Sequence, residues 1–592
     1  MIVKNEEKNL KRCLDSVKHV VDEMIIVDTG STDSTVSIAK SYGAKVYHFE
    51  WNGNFSEARN YALMQATGDW LMIMDADDEM EKLEREDIIN MIVQTGADAF
   101  FFETISYVGE KPGMDVIKNM NLRLMKNHMG YFFSNPIHEQ IYCNIMAVNP
   151  AAKIVNCDMK VCHYGYLNKN IAENNKRARN IALLEKELEK NPDYNFAVFN
   201  LGSEYYAMGD NLKAIGYFEK AYEKFNPEEG YSSHLILKMV VCYIGLGRFE
   251  EALNLADTGL SYYPQFTDLV YMKGTALSTT GKNALALKSF KKCCEMGEPP
   301  NYLSVIIGTG TYRPQFMMGN IYFDWEDYES AAESYQQAFV FNMEFMAAFS
   351  MLIKAWCKSK PEAFGLQEKI ESLRKMIPAT YDSIVFEQLM EEKYFDLALN
   401  YIENYEKTCG INTYSQYFKG LCKLYQKDYD GAIEMMEAVK GNEEYHMRAF
   451  CLEALCFVFK SDYEKAKDLL LEGCMENDNT ACRVSIFLNK LLQNEELSIL
   501  SDDEKESGLY TPFIFEVLKI LLITRQLETF EKALNLLNTI SDKTVLLRLA
   551  KLYYSENCFA LAYNELMRSI KLFDCLDMEG AKMLCALKYR GF

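Results

Sequence analysis

Trp70-Leu71-Met72-Ile73-Met74-Asp75-Ala76-Asp77-Asp78-Glu79 is an apolar run that ends abruptly in acids. Trp70–Met74 reads as a buried strand, because it is short, continuous and apolar. In open α/β sheets ligands bind at the carboxyl ends of the strands, which is where these acids fall. Asp75 and Asp77 lie two residues apart, so on a continuing strand they project to the same side. Two carboxylates facing one way repel each other unless a cation lies between them. A divalent ion with oxygen ligands, Mg²⁺ or Mn²⁺, suits that position. The competing reading is a solvated acidic turn, with Asp78 and Glu79 at the N-terminus of a following helix.

The residues upstream extend this pattern. Met1-Ile2-Val3 is apolar, and Glu6 to Val21 reads as a helix with Leu10, Leu14, Val17 and Val21 on one face. Met24–Val27 is a second short strand, which runs into Asp28-Thr29-Gly30-Ser31-Thr32-Asp33-Ser34-Thr35. In that turn Gly30 is free to take a positive φ, and Asp33 or Ser34 can cap the next helix. Lys45–Phe49 reads as a third strand and Phe55–Ala66 as a helix. Strands alternating with helices of this length predict a parallel, helix-covered sheet. The acids at Asp28 and at Asp75/Asp77 would then share one nucleotide crevice. Asp28 would accept from a base N–H, Asp75 from ribose, and Asp77 would hold a metal on the diphosphate. The alternative for Asp28 is a turn residue that caps its own loop.

Three blocks together resemble a family 2 glycosyltransferase of the GT-A, Rossmann-like fold. They are Met1-Ile2-Val3-Lys4-Asn5-Glu6-Glu7, Val27-Asp28-Thr29-Gly30-Ser31-Thr32-Asp33 and Asp75-Ala76-Asp77-Asp78-Glu79, in the family's order and at its usual separations. Family members carry a few apolar residues before the first block, whereas this chain starts inside it. Trp51-Asn52-Gly53-Asn54-Phe55-Ser56-Glu57-Ala58-Arg59-Asn60 resembles the W-x-x-D/N-F-S-x-A-R-N block of one subgroup. That subgroup includes bacterial glucosyltransferases of lipopolysaccharide core and of bacteriocin peptides, and many proteins with tetratricopeptide repeats. The resemblance implies a nucleoside-diphosphate sugar donor, taken here as a UDP-sugar. It places Asp28, Ser31, Asp33, Arg59, Asn60 and Asp75 at the nucleotide. It implies Mn²⁺ or Mg²⁺ held by Asp77, Asp75 and His163.

Ala99–Val108 and Asn121–Lys126 have strand character. Arg123-Leu124-Met125 and the later Ile137-His138-Glu139 match a family R-L-F/M segment followed by an I/V-H-E block. An inverting transfer needs a base to deprotonate the acceptor hydroxyl or thiol. Glu139 is the expected base, with His138 beside it. Val161-Cys162-His163-Tyr164-Gly165-Tyr166 resembles the family's closing block, whose histidine serves as a metal or diphosphate ligand. A lone histidine is more often a core imidazole bonded to backbone. Here two of only seven histidines fall on family blocks, which favours function.

The remaining chain repeats. An aromatic-x-x-Ala frame recurs at Phe249/Ala252, Tyr328/Ala331, Phe395/Ala398, Tyr429/Ala432, Tyr463/Ala466, Phe530/Ala533 and Phe559/Ala562, and Ala214 and Ala286 follow it without the aromatic. Ala398, Ala432 and Ala466 stand 34 residues apart, the tetratricopeptide period. Gly209, Gly247 and Gly281 fall at the turns between helices. The expected division is a GT-A domain over 1–168, a connecting helix over 169–193 that spans Asn170–Lys190, and an all-α solenoid of about eleven units over 194–592. A donor site built wholly from the first part should work without the array, so a chain cut near Lys190 is expected to keep it.

With 592 residues, several domains are expected. The formal charge of −22 and the lack of a basic tract argue against a nucleic-acid partner. No apolar run approaches about 18 residues, so no membrane span is expected. The polar Lys4-Asn5-Glu6-Glu7 opening gives no signal-peptide pattern. The 17 scattered cysteines suit buried thiols in a cytoplasmic protein. The expected function is transfer of a hexosyl or N-acetylhexosaminyl group to a protein or peptide side chain. The array would hold the acceptor, form a homodimer, or both. One alternative is the same chemistry on a lipopolysaccharide or polysaccharide precursor. Another is a scaffold with an inactive head, against which the intact Asp75, Asp77, Glu139 and His163 count.

Overall fold

A computed structural model describes residues 1–108, 115–165, 167, 176–374, 376–440, 445–475 and 480–591. The chain forms two compact units, Met1–Ala348 and Phe349–Phe592. The first begins with strands β1 (Ile2–Val3), β2 (Ile25–Asp28) and β3 (Lys45–His48), which pair in parallel in that order. Between them run α1 (Leu10–Val17) and α2 (Thr35–Ser41), and α3 (Phe55–Gln65) follows. Leu10 and Leu14 of α1 bury against Val3 and Ile26, as the spacing predicted.

The expectation of one parallel sheet needs correction. β4 (Trp70–Met72) does not join β1–β3. It enters a second sheet with β5 (Asp78–Met80), β6 (Ala99–Val108), β7 (Asp115–Lys126) and β8 (Ile154–His163), in the order β4-β7-β6-β8-β5. Within it only β6 and β8 run parallel. Helices α4 (Arg85–Thr95) and α5 (Tyr142–Val148) complete the region. The reason is the β6–β7 pairing, which extends from Ala99 opposite Met125 to Val108 opposite Asp115. β7 then offers its other edge to β4, and that ladder sets the strand direction. Phe100, Phe102, Leu124 and Val161 form the core beneath it.

Helices take over at α6 (Lys176–Lys190). Of the predicted helix Asn170–Lys190, residues 170–175 lie outside the described residues, as does Tyr166. Then come α7 (Asn195–Ala207), α8 (Asn211–Tyr222), α9 (Ser232–Gly245), α10 (Phe249–Tyr262), α11 (Thr267–Thr279), α12 (Asn283–Met296), α13 (Tyr312–Asp324) and α14 (Tyr328–Phe341). The framing alanines Ala214, Ala252, Ala286 and Ala331 are fully buried, because the paired helices approach there. A Cβ added at Gly202 or Gly274 would stand 2.7 Å or 2.6 Å from the ring of Phe218 or Phe290, so those rings occupy the space a side chain would take.

These first helices do not stand clear of the α/β region. Ile137 shares a cluster with Leu184 of α6 and with Ala197 and Leu201 of α7, and Phe55 packs against it. A cut near Lys190 would strip Ala197 and Leu201 from Ile137. The expectation of a donor site independent of the array therefore meets a shared apolar core.

In the second unit the aromatic-x-x-Ala frame marks helix starts at Phe395, Tyr429, Tyr463 and Phe559. Its turns take the same left-handed residue as the glycine turns do. Gly209, Gly247 and Gly281 have φ of 78°, 73° and 74°, while Lys393, Lys427, Ser461 and Asn557 take 68°, 67°, 61° and 61° at the matching position five before the alanine. Among the described residues no helix is long and apolar enough to cross a membrane.

Candidate active site

The acid stretch leaves the sheet earlier than its hydropathy predicts. β4 ends at Met72, residues 73–75 are irregular, and Ala76-Asp77 is a turn into β5. Asp78 and Glu79 therefore begin a strand and do not cap a helix. Asp75 and Asp77 consequently face different partners. Asp75 accepts from Arg59 Nη2 at 2.7 Å and from Arg123 Nη1 at 3.4 Å. Asp77 lies instead with Asp78 and His163, whose ligand atoms fall within 4.8 Å of one another.

Strand pairing makes that second group. Asp78 stands opposite His163 in the antiparallel β5–β8 ladder, so their side chains meet on one face. His163 Nδ1 lies 2.9 Å from Asp78 Oδ1, while the other Asp78 oxygen receives Arg123 Nη1 at 2.8 Å and the Asp75 amide at 2.8 Å. Asp78 is wholly buried and fully engaged, so it orients its neighbours. Burial opposes a charge on His163. The bond to Asp78 and the charges of Asp77, Asp78 and Asp75 outweigh it and raise the imidazole's pKa above its ordinary value. The surroundings thus favour a positive charge here, a proton or a metal ion.

Carboxylate oxygen from Asp77 and imidazole nitrogen from His163 are a donor set that fits Mn²⁺. Asp78 behind the histidine is the outer partner that fixes ring orientation in metal sites. Gly165 gives a further sign of fit. A Cβ there would press on Asp77 Oδ2 and stand 2.5 Å from His163 Nε2, so both polar atoms converge beside its Cα. We expect Gly165→Ala to weaken Mn²⁺ affinity by about 10–100-fold, without unfolding the chain. Calorimetric titration with MnCl₂ checks this, and an unchanged affinity would remove Asp77 and His163 from the metal.

The Trp51–Asn60 stretch acquires a physical meaning. Asn54 caps α3, accepting from the Glu57 amide at 3.2 Å. From the first turns of α3, the Phe55 amide donates to Pro136 O at 2.8 Å and Ser56 Oγ to Asn135 O at 2.5 Å. Asn60 exchanges two bonds with the Phe133 backbone, at 2.9 and 2.7 Å. Together they grip the loop that carries His138 and Glu139. That loop needs gripping, because Asn135 and His138 hold left-handed φ of 76° and 55°. Arg59 then spans the site, with Nε on Glu139 Oε1 at 2.9 Å and Nη2 on Asp75. Burial raises the cost of charge at Asp75, but Arg59 and Arg123 prevail and hold its carboxyl well below the usual range. Asn60 is thus spent on the backbone, while Arg59 joins two candidate acids. His138 points elsewhere. Its Nε2 is buried with no partner among the described residues, and burial lowers its pKa.

Asp28, Ser31 and Asp33 lie at the end of β2 and in the turn that follows it. Asp28 accepts from the Gly30 and Ser31 amides at 3.2 and 3.1 Å, so it caps its own loop. Ser31 Oγ accepts from the Asn5 amide at 2.9 Å, and Asp33 accepts from the amides of Glu7 at 3.2 Å and Thr35 at 3.0 Å. They tie the turn after β1 to the turn after β2.

Sequence reasoning passed over Asp78, Arg123 and Gly165 as site residues. Asp78 was visible within the acid cluster. Its role depends on facing His163, 85 positions away, across a strand pair.

Residues 1–152 match the family described as glycosyl transferase family 2, and residues 197–223, 267–296 and 312–339 match the tetratricopeptide repeat. A tetratricopeptide repeat-containing protein of Synechococcus elongatus is 31% identical over 264 residues, covering 44% of this chain and 64% of the relative. The SPbeta prophage-derived glycosyltransferase SunS of Bacillus subtilis is 30% identical over 297 residues, covering 48% and 67%. An uncharacterized glycosyltransferase of Rickettsia felis is 31% identical over 172 residues, covering 28% and 60%. The chain thus spans about two thirds of the length of these relatives. Among solved structures, the C-terminal part of a repeat-containing protein from Cytophaga hutchinsonii is similar with a TM-score of 0.31 and 16% identity, covering 48% of this chain and 97% of that one. By its matched amino-terminal region and by the extent of its likeness to SunS, the chain belongs to glycosyl transferase family 2, with tetratricopeptide repeats in the helical region that follows.

Proposed function

We propose that the protein is an inverting, metal-dependent glycosyltransferase that moves a sugar from a UDP-sugar to a side chain of a protein or peptide acceptor. The observation that carries this is the adjacency of two groups at the strand ends. One is Asp77 with His163, positioned by Asp78. The other is Arg59, held between Asp75 and Glu139.

Each part has a chemical task in this reading. Asp77 and His163 would hold Mn²⁺ or Mg²⁺, which stabilises the negative charge of the departing diphosphate. Asp75, neutralised by Arg59 and Arg123, presents an ionised acceptor to the ribose hydroxyls. Asp28, Ser31 and Asp33 shape the wall beside the base. Glu139 takes the proton from the acceptor hydroxyl or thiol as that atom attacks the anomeric carbon from the face opposite the diphosphate. Configuration then inverts. Arg59 keeps the Glu139 carboxylate in place. The helices α6 and α7, which pack on Ile137 of the Glu139 loop, would with the repeats after them receive a polypeptide. The division at about residues 168 and 193 remains part of this reading.

The test is slow hydrolysis of UDP-sugars by the full chain with and without Mn²⁺. We expect turnover that EDTA abolishes and Mn²⁺ restores. Full turnover in EDTA overturns the metal role.

A further inference from the structure

Between α7 and α9, the cation Lys238 stands without an acid among the described residues. Lys238 leaves α9 half-buried, and its Nζ donates to Ser203 Oγ at 2.8 Å. The ammonium lies 4.9 Å from the Phe199 ring centroid and 6.0 Å from that of Tyr206. Ser203 Oγ itself donates to Phe199 O at 3.0 Å, which turns its lone pairs to the lysine. Several basic residues nearby have carboxylate partners: Arg177 pairs with Glu204 at 3.3 Å, Lys224 with Asp193 at 2.5 Å, and Arg248 with Glu251 at 2.9 Å, while Arg179 donates to Asn180 Oδ1 at 3.2 Å and lies over the Phe55 ring. Among the described residues Lys238 has no carboxylate partner. Glu204 is the acid nearest in effect, but it is held by Arg177 and by Asn180 at 2.8 Å.

Two consequences follow from electrostatics. Desolvation pulls the Lys238 amine down to about 8, with Glu204 opposing, because an ammonium without a counter-ion is disfavoured away from water. His234, one turn earlier on α9, is pushed down to about 4 by burial and by the Lys238 charge. An arriving anion would relieve both. Lys238 has three N–H donors and spends one on Ser203, so two remain. Lys238 is near the proposed chemistry, since the charges of Lys238 and Glu204 both act on His138.

We propose that Lys238, with Ser203 and the rings of Phe199 and Tyr206, forms a carboxylate subsite that takes an Asp or Glu side chain of the acceptor polypeptide near the residue to be glycosylated. This rests on the polypeptide-acceptor reading above. The chain's formal charge of −22 repels an acidic segment over most of its surface, so a cation that keeps two N–H donors and has no carboxylate partner among the described residues is where the side chain of such a segment docks.

The full chain, without sugar donor, is probed on an array of degenerate decapeptides. One central position is fixed in turn as each amino acid and as phosphoserine. We expect the wild type to select Asp and Glu over Asn and Gln by about tenfold, the effect of one charge-assisted hydrogen bond. Lys238→Met should erase that selection, and Ser203→Ala should reduce it. Selection absent from the wild type, or persisting in Lys238→Met, overturns the subsite. Preference for phosphoserine over Asp and Glu overturns the carboxylate assignment. Should Lys238→Met fail to fold, an undiminished selection in Ser203→Ala overturns the proposal. Because no donor is present, a chain without transferase activity can still pass, and an active transferase can still fail.

Discussion

Asp77→Asn is expected to lower metal-dependent turnover by about 10²–10³-fold or more, the range for losing one charged group at a site of developing charge. The substitution keeps the side chain's shape and removes its charge. The main-chain carbonyl of Asp77 still accepts from the Tyr164 amide at 3.0 Å, so the turn into β5 is kept. The Asp78–Arg123 pair at 2.8 Å is also untouched. The loss should therefore appear in Mn²⁺ affinity and in turnover and leave Tm nearly unchanged. Asp78→Asn is the contrasting variant. It weakens the hold on His163 by about 10–100-fold in metal affinity. It also removes the nearer of the two carboxylates beside buried Arg123, leaving Asp75 at 3.4 Å, and so should lower Tm as well. Calorimetric Mn²⁺ titration and thermal melts separate the two. Wild-type turnover in Asp77→Asn at limiting Mn²⁺ would end the metal assignment.

Glu139→Gln should cut sugar transfer to an acceptor by about 10²–10⁴-fold while nucleotide binding persists. The amide oxygen of glutamine can still accept from Arg59 Nε, so the loop and the Asp75 contact are preserved. What is lost is the capacity to take a proton. Donor hydrolysis, where water is the acceptor, is measured beside transfer to an acceptor thiol. A thiol ionises more readily than a hydroxyl and depends less on a base. The loss should accordingly be smaller for a thiol acceptor than for a hydroxyl one. Equal transfer by wild type and Glu139→Gln places the base elsewhere. His138, neutral through burial and with Nε2 unpartnered among the described residues, is then the residue to replace.

Local patterns in this chain were legible where one element carries its own signal. The 3.6-residue spacing of Leu10, Leu14 and Val17 marked α1, although the helix covers Leu10–Val17 and not the whole of Glu6 to Val21, and the aromatic-x-x-Ala frame specified helix starts at Phe249, Tyr328 and Phe395. The turns at Lys393 and Lys427 were harder to see. They keep the geometry of Gly247 without its residue, because packing of the flanking helices holds a lysine in a conformation that glycine adopts at no cost.

The amino-acid order alone determined which chemical groups this protein owns, and that acids follow an apolar strand near residue 75. Hydrogen bonds within a few residues and apolar periodicity suffice for that. Only the tertiary structure decided how those groups are shared out. The β6–β7 ladder drew β4 into a second sheet, and the β5–β8 register set Asp78 against His163. Arg59 and Arg123, from a helix and a distant strand, claimed Asp75 and separated it from Asp77. Charges 16 and 48 positions from Asp75 along the chain set its ionisation, and spacing along a sequence does not encode distance through a fold.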